Sequence, residues 1–550
     1  MSSGGYPAGD SVSTDSVESF ARSAGTVAGA TLVSRVLGLV RDVVLANLFA
    51  AGRTDAFFVA FMIPNLFRRL VAEGSLTVSL VPVFTGELRR SRPAAAHLFN
   101  ATWTLGAGLG LAIVIGGILL ADPLVRLFAP GFALDPGKQE LTAQLLRLCF
   151  PYILLLILVA TAMGALNAMG HFFAPAIAPV LLNLSLIAGA VLGAAWLDPP
   201  ILALGVAVVV AGILQVLLQL PPLVQREIRP RPVFAPRDPA LRRLLLLMAP
   251  AVLGASIYQV NVLVSRFLAS FFGDGAVSYL YYAGRLIEFP LGVFVFAVGT
   301  ASLPSLSRLV ASGDRGALRE AFSGALGLAL VLVVPSSVGL ILLSEPIFAV
   351  LFGWNSDVFG PAAVEICAQA LVLYALGLIP VGIARIAVGL CIAHQNTRTP
   401  ARAAVVGLVT NVVASLALIG PLPSGSLPGP LIEAQRALVV ADLGFVGLAL
   451  ATSIASLANA VYMLAAARRH YGRLASGLGG RIAPLTAAAG TLAGALVALD
   501  LVWPVPRSAS VSGASVLFAH VALGAGVYLT CLKLLRSPDL ATLLATLRRR

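Results

Sequence analysis

The feature that most constrains this chain is the recurrence, from residue 24 almost to its end, of apolar stretches of bilayer length. A hydrocarbon core about 30 Å thick is crossed by roughly 20 helical residues. Inside it each backbone N–H and C=O must find a partner within the segment, so such stretches fold as helices. The spans are 24–48, 55–85, 95–120, 141–167, 174–197, 201–221, 244–272, 277–307, 321–343, 362–393, 401–420, 443–467, 482–503 and 514–534. Charged residues make up 11% of the chain, too few to cover soluble domains, which carry about 25%. The reading is an all-α polytopic membrane protein with about fourteen transmembrane helices. A soluble multidomain enzyme, a collagen-like rod and a largely disordered chain are excluded. Pro64, Pro290 and Pro380 fall inside long spans and predict kinks.

The cations lie where a topology signal would put them. With the N-terminus inside, the inside segments hold 24 of the 37 Lys and Arg, the outside loops five (Arg53, Arg126, Lys138, Arg436, Arg507), and the spans eight. Both termini are therefore expected on the cytoplasmic side. The net charge of +13 then faces anionic membrane lipid rather than nucleic acid. Residues 1–23 read as a disordered cytoplasmic tail, since Asp10, Asp15 and Glu18 stand where a signal peptide would be basic and then apolar.

Residues 222–243, with Pro230, Pro232, Pro236 and Pro239, are the longest polar connection on the inside. They separate an N-terminal lobe (24–221) from a C-terminal lobe (244–467), each of six spans. The helix pair 482–534 follows, then a basic tail, 535–550. Phe57-Phe58-Val59-Ala60 through Val81-Pro82 matches Tyr279-Leu280-Tyr281-Tyr282 through Leu303-Pro304 at an offset of 222. Gly164, Ala168 and Pro175 match Gly389, Ala393 and Pro400 at 225. An even number of spans per repeat enters the membrane in the same direction. The two six-helix lobes are thus related by a pseudo-two-fold axis along the membrane normal, an arrangement suited to a transporter whose lobes rock about a central cavity.

Charges inside spans are costly and mark function. The first span carries Ser34, Arg35, Arg41 and Asp42. Seven residues return to nearly one face of a helix, aligning Arg35 with Asp42 and Ser34 with Arg41. The second span opens with Asp55 and carries Asn65, Arg68, Arg69 and Glu73; the eighth carries Arg285 with Glu288 one turn on. An i,i+3 ion pair is the plain reading of Arg285 and Glu288, and snorkelling to the surface that of Arg68-Arg69. Arg147, Arg266 and Arg385 are isolated, which suits structural or headgroup roles. Guanidinium forks recognise phosphate bidentately, so arginines converging in a low-dielectric cavity suit a polyanion, most naturally a diphosphate.

Other chemistries find no support. Gly131 to Gly137-Lys138-Gln139 is one residue too long for a P-loop and lacks the following Ser or Thr, so no ATP-driven step or other cofactor is expected. The five histidines form no metal-ligand pair, and Cys149, Cys367, Cys391 and Cys531 have no paired spacing, so no metal is expected. Paired acidic motifs for Mg²⁺-dependent prenyl transfer are missing from the inside loops. Gly106 and Gly110 suit helix packing.

Ser34-Arg35-Val36-Leu37-Gly38 with Val40-Arg41-Asp42, Thr54-Asp55-Ala56-Phe57-Phe58-Val59-Ala60-Phe61, and Pro64-Asn65-Leu66-Phe67-Arg68-Arg69 with Ala72-Glu73-Gly74 resemble the bacterial lipid II flippase family, MurJ or MviN. Phe150-Pro151-Tyr152, Ala178-Pro179 with Asn183, Tyr281-Tyr282 with Arg285-Leu286-Ile287-Glu288-Phe289-Pro290, and Asn396-Thr397-Arg398-Thr399-Pro400 extend the resemblance over about residues 24–470. It implies the multidrug/oligosaccharidyl-lipid/polysaccharide exporter fold, with a C-terminal helix pair whose groove holds the lipid tail. It also implies a non-enzymatic activity: lipid II, the undecaprenyl-diphosphate-linked peptidoglycan precursor, moves to the outer leaflet of the bacterial cytoplasmic membrane by alternating access. By motif position Arg35, Arg41, Asp55, Arg68 and Arg285 match the family's functional charges, supported by Ser34, Asp42, Asn65, Arg69, Glu73 and Glu288. Asp55, near the outer end of its span, is expected to pair with a cavity arginine. Gly284, Cys391-Ile392 and Asn396 depart from the family pattern and bear on any ion site or gate in the second lobe. Ion coupling or membrane potential is the expected energy source, and other cell-wall synthesis proteins are further partners. The alternatives are an exporter of the same superfamily for another prenyl-linked glycan or a drug, a prenyl-phosphate enzyme, and a scaffold.

Overall fold

The computed structural model describes residues 14–193, 197–423, 428–472 and 479–548; side chains at 14–24, 26, 28, 71–74, 251, 253–258, 470, 479 and 545–548 are outside that description. In chain order the helices are α1 (Thr14–Leu48), α2 (Ala51–Phe67), α3 (Leu76–Arg90), α4 (Arg92–Leu119), α5 (Ala121–Phe128), α6 (Pro136–Cys149), α7 (Pro151–Ala168), α8 (Phe173–Gly193), α9 (Leu202–Gln225), α10 (Pro239–Ala269) and α11 (Ala276–Pro290). They continue with α12 (Phe296–Ser312), α13 (Arg315–Leu342), α14 (Ser344–Phe352), α15 (Pro361–Ala375), α16 (Leu378–Ala393), α17 (Arg398–Leu418), α18 (Gly429–Leu438), α19 (Gly447–Tyr471), α20 (Gly479–Val502), α21 (Val511–Leu534) and α22 (Pro538–Arg548). Within the described residues each of the fourteen apolar stretches lies mainly on helix. Among the described residues, eleven helical stretches are long and apolar enough to cross a membrane. The fold is all-helical and polytopic.

Helix starts are set by side chains that satisfy the first free N–H groups. Ser91 accepts from Ala94 N ahead of α4, Asp135 from Gly137 N and Lys138 N ahead of α6, and Asp238 from Leu241 N ahead of α10. The expected N-terminal tail is shorter than read: α1 begins at Thr14, where Thr14-Asp15-Ser16 and Glu18 have the composition of a helix start. Residues 1–13 lie outside the described residues.

The repeat is visible in the element ends. α8 runs Phe173–Gly193 and α17 runs Arg398–Leu418, each end displaced by the same 225 residues. α7 ends at Ala168 and α16 at Ala393, again 225 apart. The second helix of each lobe also carries a π-helical segment, Arg68–Ser75 after α2 and Leu291–Val295 after α11. At an offset of 222 these segments overlap. Each follows a proline, Pro64 or Pro290, whose missing N–H removes an i→i−4 hydrogen bond and weakens the α-helical ladder there. The third expected kink is a break: α15 stops at Ala375 and α16 starts at Leu378, just before Pro380.

In the first lobe α1 packs on α8, α8 on α9, and α7 on α4 and α9; in the second α19 packs on α16 and α17, and α11 on α15. Gly110 lets α4 approach the Leu154 backbone on α7, as its small-residue spacing predicts. An aromatic layer joins the lobes. Phe58 stacks on Tyr281 with ring centroids 4.1 Å apart and meets Tyr282 edge-on at 5.6 Å. α10 lies against α17 of its own lobe and also against α3 and the π segment of the first. α20 and α21 form a hairpin outside the lobes, packed through α13, and α22 folds back on α13 beside it.

Candidate functional site

Arg41 and Asp42, adjacent about two turns from the C-terminal end of α1, are buried, and Asp42 is fully inaccessible. The Asp42 carboxylate accepts from Arg41 Nε at 2.9 Å and Nη2 at 2.5 Å. Its second oxygen lies 3.1 Å from Arg285 Nε, an ion pair from α1 in one lobe to α11 in the other. Arg41 Nη1 donates to Asn183 Oδ1 on α8 at 3.1 Å, and Arg41 Nη2 to Tyr281 Oη on α11 at 2.8 Å. Asn183 in turn donates from Nδ2 to the Ser34 carbonyl at 3.0 Å. Arg285 Nη1 meets Glu288 Oε2 at 2.7 Å, the i,i+3 pair anticipated from sequence. Arg35 reaches across to the Glu288 carbonyl at 3.3 Å.

The cluster needs two glycines. A Cβ at Gly38 would run into the Arg285 guanidinium, and one at Gly292, in the second π segment, would run into that of Arg35. The close approach of each cation to the opposite lobe thus depends on a missing side chain. Three guanidiniums from two lobes share two carboxylates, one phenol, one amide and one carbonyl. A diphosphate offers more oxygen acceptors in the same geometry than Asp42 and Glu288 do, and can take over these donors.

The remaining candidates sit elsewhere. Arg68 Nε donates to Asn65 Oδ1 at 2.9 Å, one turn back on α2. Arg69 follows at the start of the π segment against α10, within electrostatic range of Arg266. Glu73 lies among residues 71–74, whose side chains are outside the described residues. The spacing that aligned Arg35 with Asp42 is superseded: Arg41 takes Asp42, because the long guanidinium arm can fold onto a neighbouring carboxylate. Arg147 is not isolated, since Asp122 on α5 pairs with it. Arg266 and Arg385 are held over the rings of Tyr281 at 5.3 Å and Phe296 at 4.3 Å.

Asp55 does not meet a cavity arginine in this structure. It is fully buried near the start of α2, at the end predicted to lie outside. Its carboxylate accepts from Gly275 N at 2.8 Å and from Ser278 N and Oγ at 2.7 Å each. A residue of one lobe therefore caps the N-terminus of α11 in the other, where free N–H groups and the helix dipole favour an anion. Gly275, with φ +93°, supplies the turn that aims those N–H groups. Lys138 Nζ completes the latch, 2.8 Å from both Asp55 and Asp274. Three more cross-lobe contacts share this end: Thr54 Oγ1 with Ser278 Oγ at 2.8 Å, Gly131 N to Ser270 Oγ at 3.1 Å, and Asn355 N to Asn47 Oδ1 at 2.7 Å. Sequence reasoning placed Lys138 in an outside loop as one of five stray cations. Nothing in the sequence signalled its burial, because the two carboxylates that hold it lie 83 and 136 residues away.

In the second lobe Asn396 caps α17, accepting from Thr399 N at 3.1 Å, and donates to Tyr471 Oη at 3.3 Å, with His394 stacked on Tyr471 at 3.9 Å. Cys391 is a buried packing residue, Cys149 and Cys367 likewise, and all four cysteines are free. Among the described residues no group of His, Cys, Asp and Glu is placed to hold a metal.

The family model described as lipid II flippase MurJ matches residues 45–506. A lipid II flippase MurJ of Burkholderia cenocepacia is 36% identical over 400 residues, covering 72% of this chain and 77% of its own. A probable lipid II flippase MurJ of Vibrio cholerae is 35% identical over 446 residues, covering 79% and 80%. Among solved structures, a lipid II flippase MurJ in an inward closed conformation superposes with a TM-score of 0.71 at 25% identity, covering 92% of this chain and 97% of the other. An inward-facing multidrug transporter of the MATE family shares the fold, with a TM-score of 0.65 at 15% identity, covering 81% and 96%.

Proposed function

The chain belongs to the lipid II flippase MurJ family, and from that premise we propose that it moves lipid II from the inner to the outer leaflet of the bacterial cytoplasmic membrane by alternating access. The observation that carries the proposal is the convergence of Arg35, Arg41 and Arg285, from two lobes, on acceptors that a diphosphate can replace. Arginine forks bind phosphate oxygens in pairs, and in a low-dielectric site each charge-assisted bond is stronger than in water.

The working cycle has the lobes closed outside by the Asp55 latch while the arginines await the diphosphate from the cytoplasmic side. Capture of the diphosphate releases Asp42 from Arg285 and loosens the coupling of α1 to α11. The lobes then rock, the two π segments absorbing the bend of the second helix in each, and the latch around Asp55 opens to the outside. The prenyl tail stays in lipid along α20 and α21. A membrane potential, negative inside, favours outward movement of the anion, worth about 2.3 kcal/mol per charge per 100 mV. Translocation involves no covalent change, so the chain acts as a transporter and not as an enzyme.

The test is complementation. A bacterium depleted of its own flippase and supplied with this chain is assayed for lipid II exposed at the outer leaflet. Restored exposure by this chain, and its loss with Arg41→Ala and Arg285→Ala at unchanged membrane abundance, is expected. Failure of the unaltered chain to restore exposure would reject the function.

A further inference from the structure

The connection between the lobes lies along the wall of a membrane helix. Arg231 N donates to Asn100 Oδ1 at 2.9 Å and Val233 N to Thr104 Oγ1 at 2.8 Å, both on α4. Asn100 and Thr104 stand about 12 and 18 Å along α4 from Arg92, at 1.5 Å per residue. A backbone can rest beside an apolar helix only if its N–H groups are met or absent. Here Pro230 and Pro232 have none, and the two donors that alternate with them are those bonded to α4. Phe234 follows immediately and is 84% exposed. Leu245, Leu246 and Leu247, at the start of α10, are exposed as well.

The charges of this segment are unbalanced by construction. Glu227 is taken by Arg92 at 2.6 Å, and Asp238 caps α10 and faces His97 at 3.4 Å. Both carboxylates are therefore engaged. Arg229, Arg231, Arg237, Arg242 and Arg243 are exposed, and among the described residues none of these side chains forms a hydrogen bond or ion pair. Five free guanidiniums thus surround one unshielded aromatic ring on a segment pinned to a membrane helix.

We propose that residues 229–243 form an interfacial anchor for acidic glycerophospholipids, independent of the translocation site. Phe234 enters the headgroup–acyl boundary, and the five arginines bind the phosphates of anionic headgroups around it. An apolar ring beside a polybasic run is the combination that holds a segment at a charged bilayer surface. Charge complementarity commits the surface to anionic lipid: a zwitterionic headgroup leaves five guanidinium charges uncompensated.

The experiment uses the full chain with Phe234→Trp, reconstituted in bilayers containing brominated phosphatidylglycerol or, at the same mole fraction, brominated phosphatidylcholine. The unaltered chain supplies the background of the native tryptophans. Quenching of the new tryptophan is expected to be at least about fivefold stronger with the acidic lipid, the ratio that the roughly 1 kcal/mol of a single basic residue gives and that five arginines exceed, and to converge as salt is raised. The R229Q/R231Q/R237Q background should weaken the preference while leaving quenching itself. Equal quenching by the two lipids at low salt in the chain with its arginines intact, or none above background, would overturn the proposal.

Discussion

Asp42 and Arg285 belong to different lobes, and the carboxylate of one lies 3.1 Å from the guanidinium of the other. Because Asp42 also holds Arg41, a single buried anion keeps two cations from repelling each other and couples α1 to α11. The site is thus organised around a negative charge, so in the proposed cycle an incoming diphosphate exchanges partners instead of assembling the site anew.

Arg35→Lys and Arg41→Lys keep the charge and remove the fork. Each is expected to lower outer-leaflet lipid II exposure about tenfold or more, since paired recognition of phosphate is lost. Unchanged exposure at equal abundance would mean that charge alone suffices.

Asp42→Asn leaves Arg41 and Arg285 facing each other without their anion. Breaking a buried pair costs about 3–5 kcal/mol, so the purified variant should melt measurably lower. Pairing Asp42→Asn with Arg285→Gln should recover part of that loss. Additive losses would show that the two residues are not coupled.

In the proposed cycle the latch around Asp55 sets the resting state. Ser278→Ala removes the hydroxyl contact to Asp55 and leaves the backbone donors, and Lys138→Met leaves Asp55 without its cation. Charge-assisted bonds are worth about 1.5–3 kcal/mol, so either change should shift the population toward outward opening by roughly ten- to hundredfold. Labelling of a cysteine placed at Thr54 from the outside should rise accordingly; unaltered labelling would refute the latch.

Gly38→Ala and Gly292→Ala push the tips of flexible arginines and no backbone. The expected result is near-normal thermal stability with reduced lipid II exposure. A large loss of stability with full activity would contradict the placement of Arg285 and Arg35.

Outside the spans, Asp539 on α22 is buried against Arg481 and Gly327. Burial outweighs Arg481 and raises its carboxyl above the ordinary 3.8. A raised carboxyl contributes its stability fully below the ordinary pKa and loses it as pH rises through the raised one. Docking of α22 should therefore tighten on acidification, seen as slower amide exchange over residues 538–544. Asp539→Asn should flatten that dependence.

Much of the architecture was legible in the residues. Apolar runs of bilayer length have one solution for their backbone, and Pro64 and Pro290 marked the two π segments because an absent N–H acts locally. The pairing of Arg285 with Glu288 was legible for the same reason, being one turn apart. Asn183 and Tyr281 were visible as motif residues, but nothing in their spacing said that both hold Arg41.

The sequence by itself determined the helices, their repeat, the excess of arginine on one side and the identity of the charges available inside the membrane. All of these follow from local periodicity or from the cost of placing a group in lipid. Only the tertiary structure decided that Asp55 caps α11 beside Lys138, that Asp42 bridges the lobes, and that the arginine-rich connection lies along α4. Those partners are separated by some 80 to 240 residues. Their meeting depends on how each helix is rotated and how the two lobes dock, which no pattern along one strand of sequence encodes.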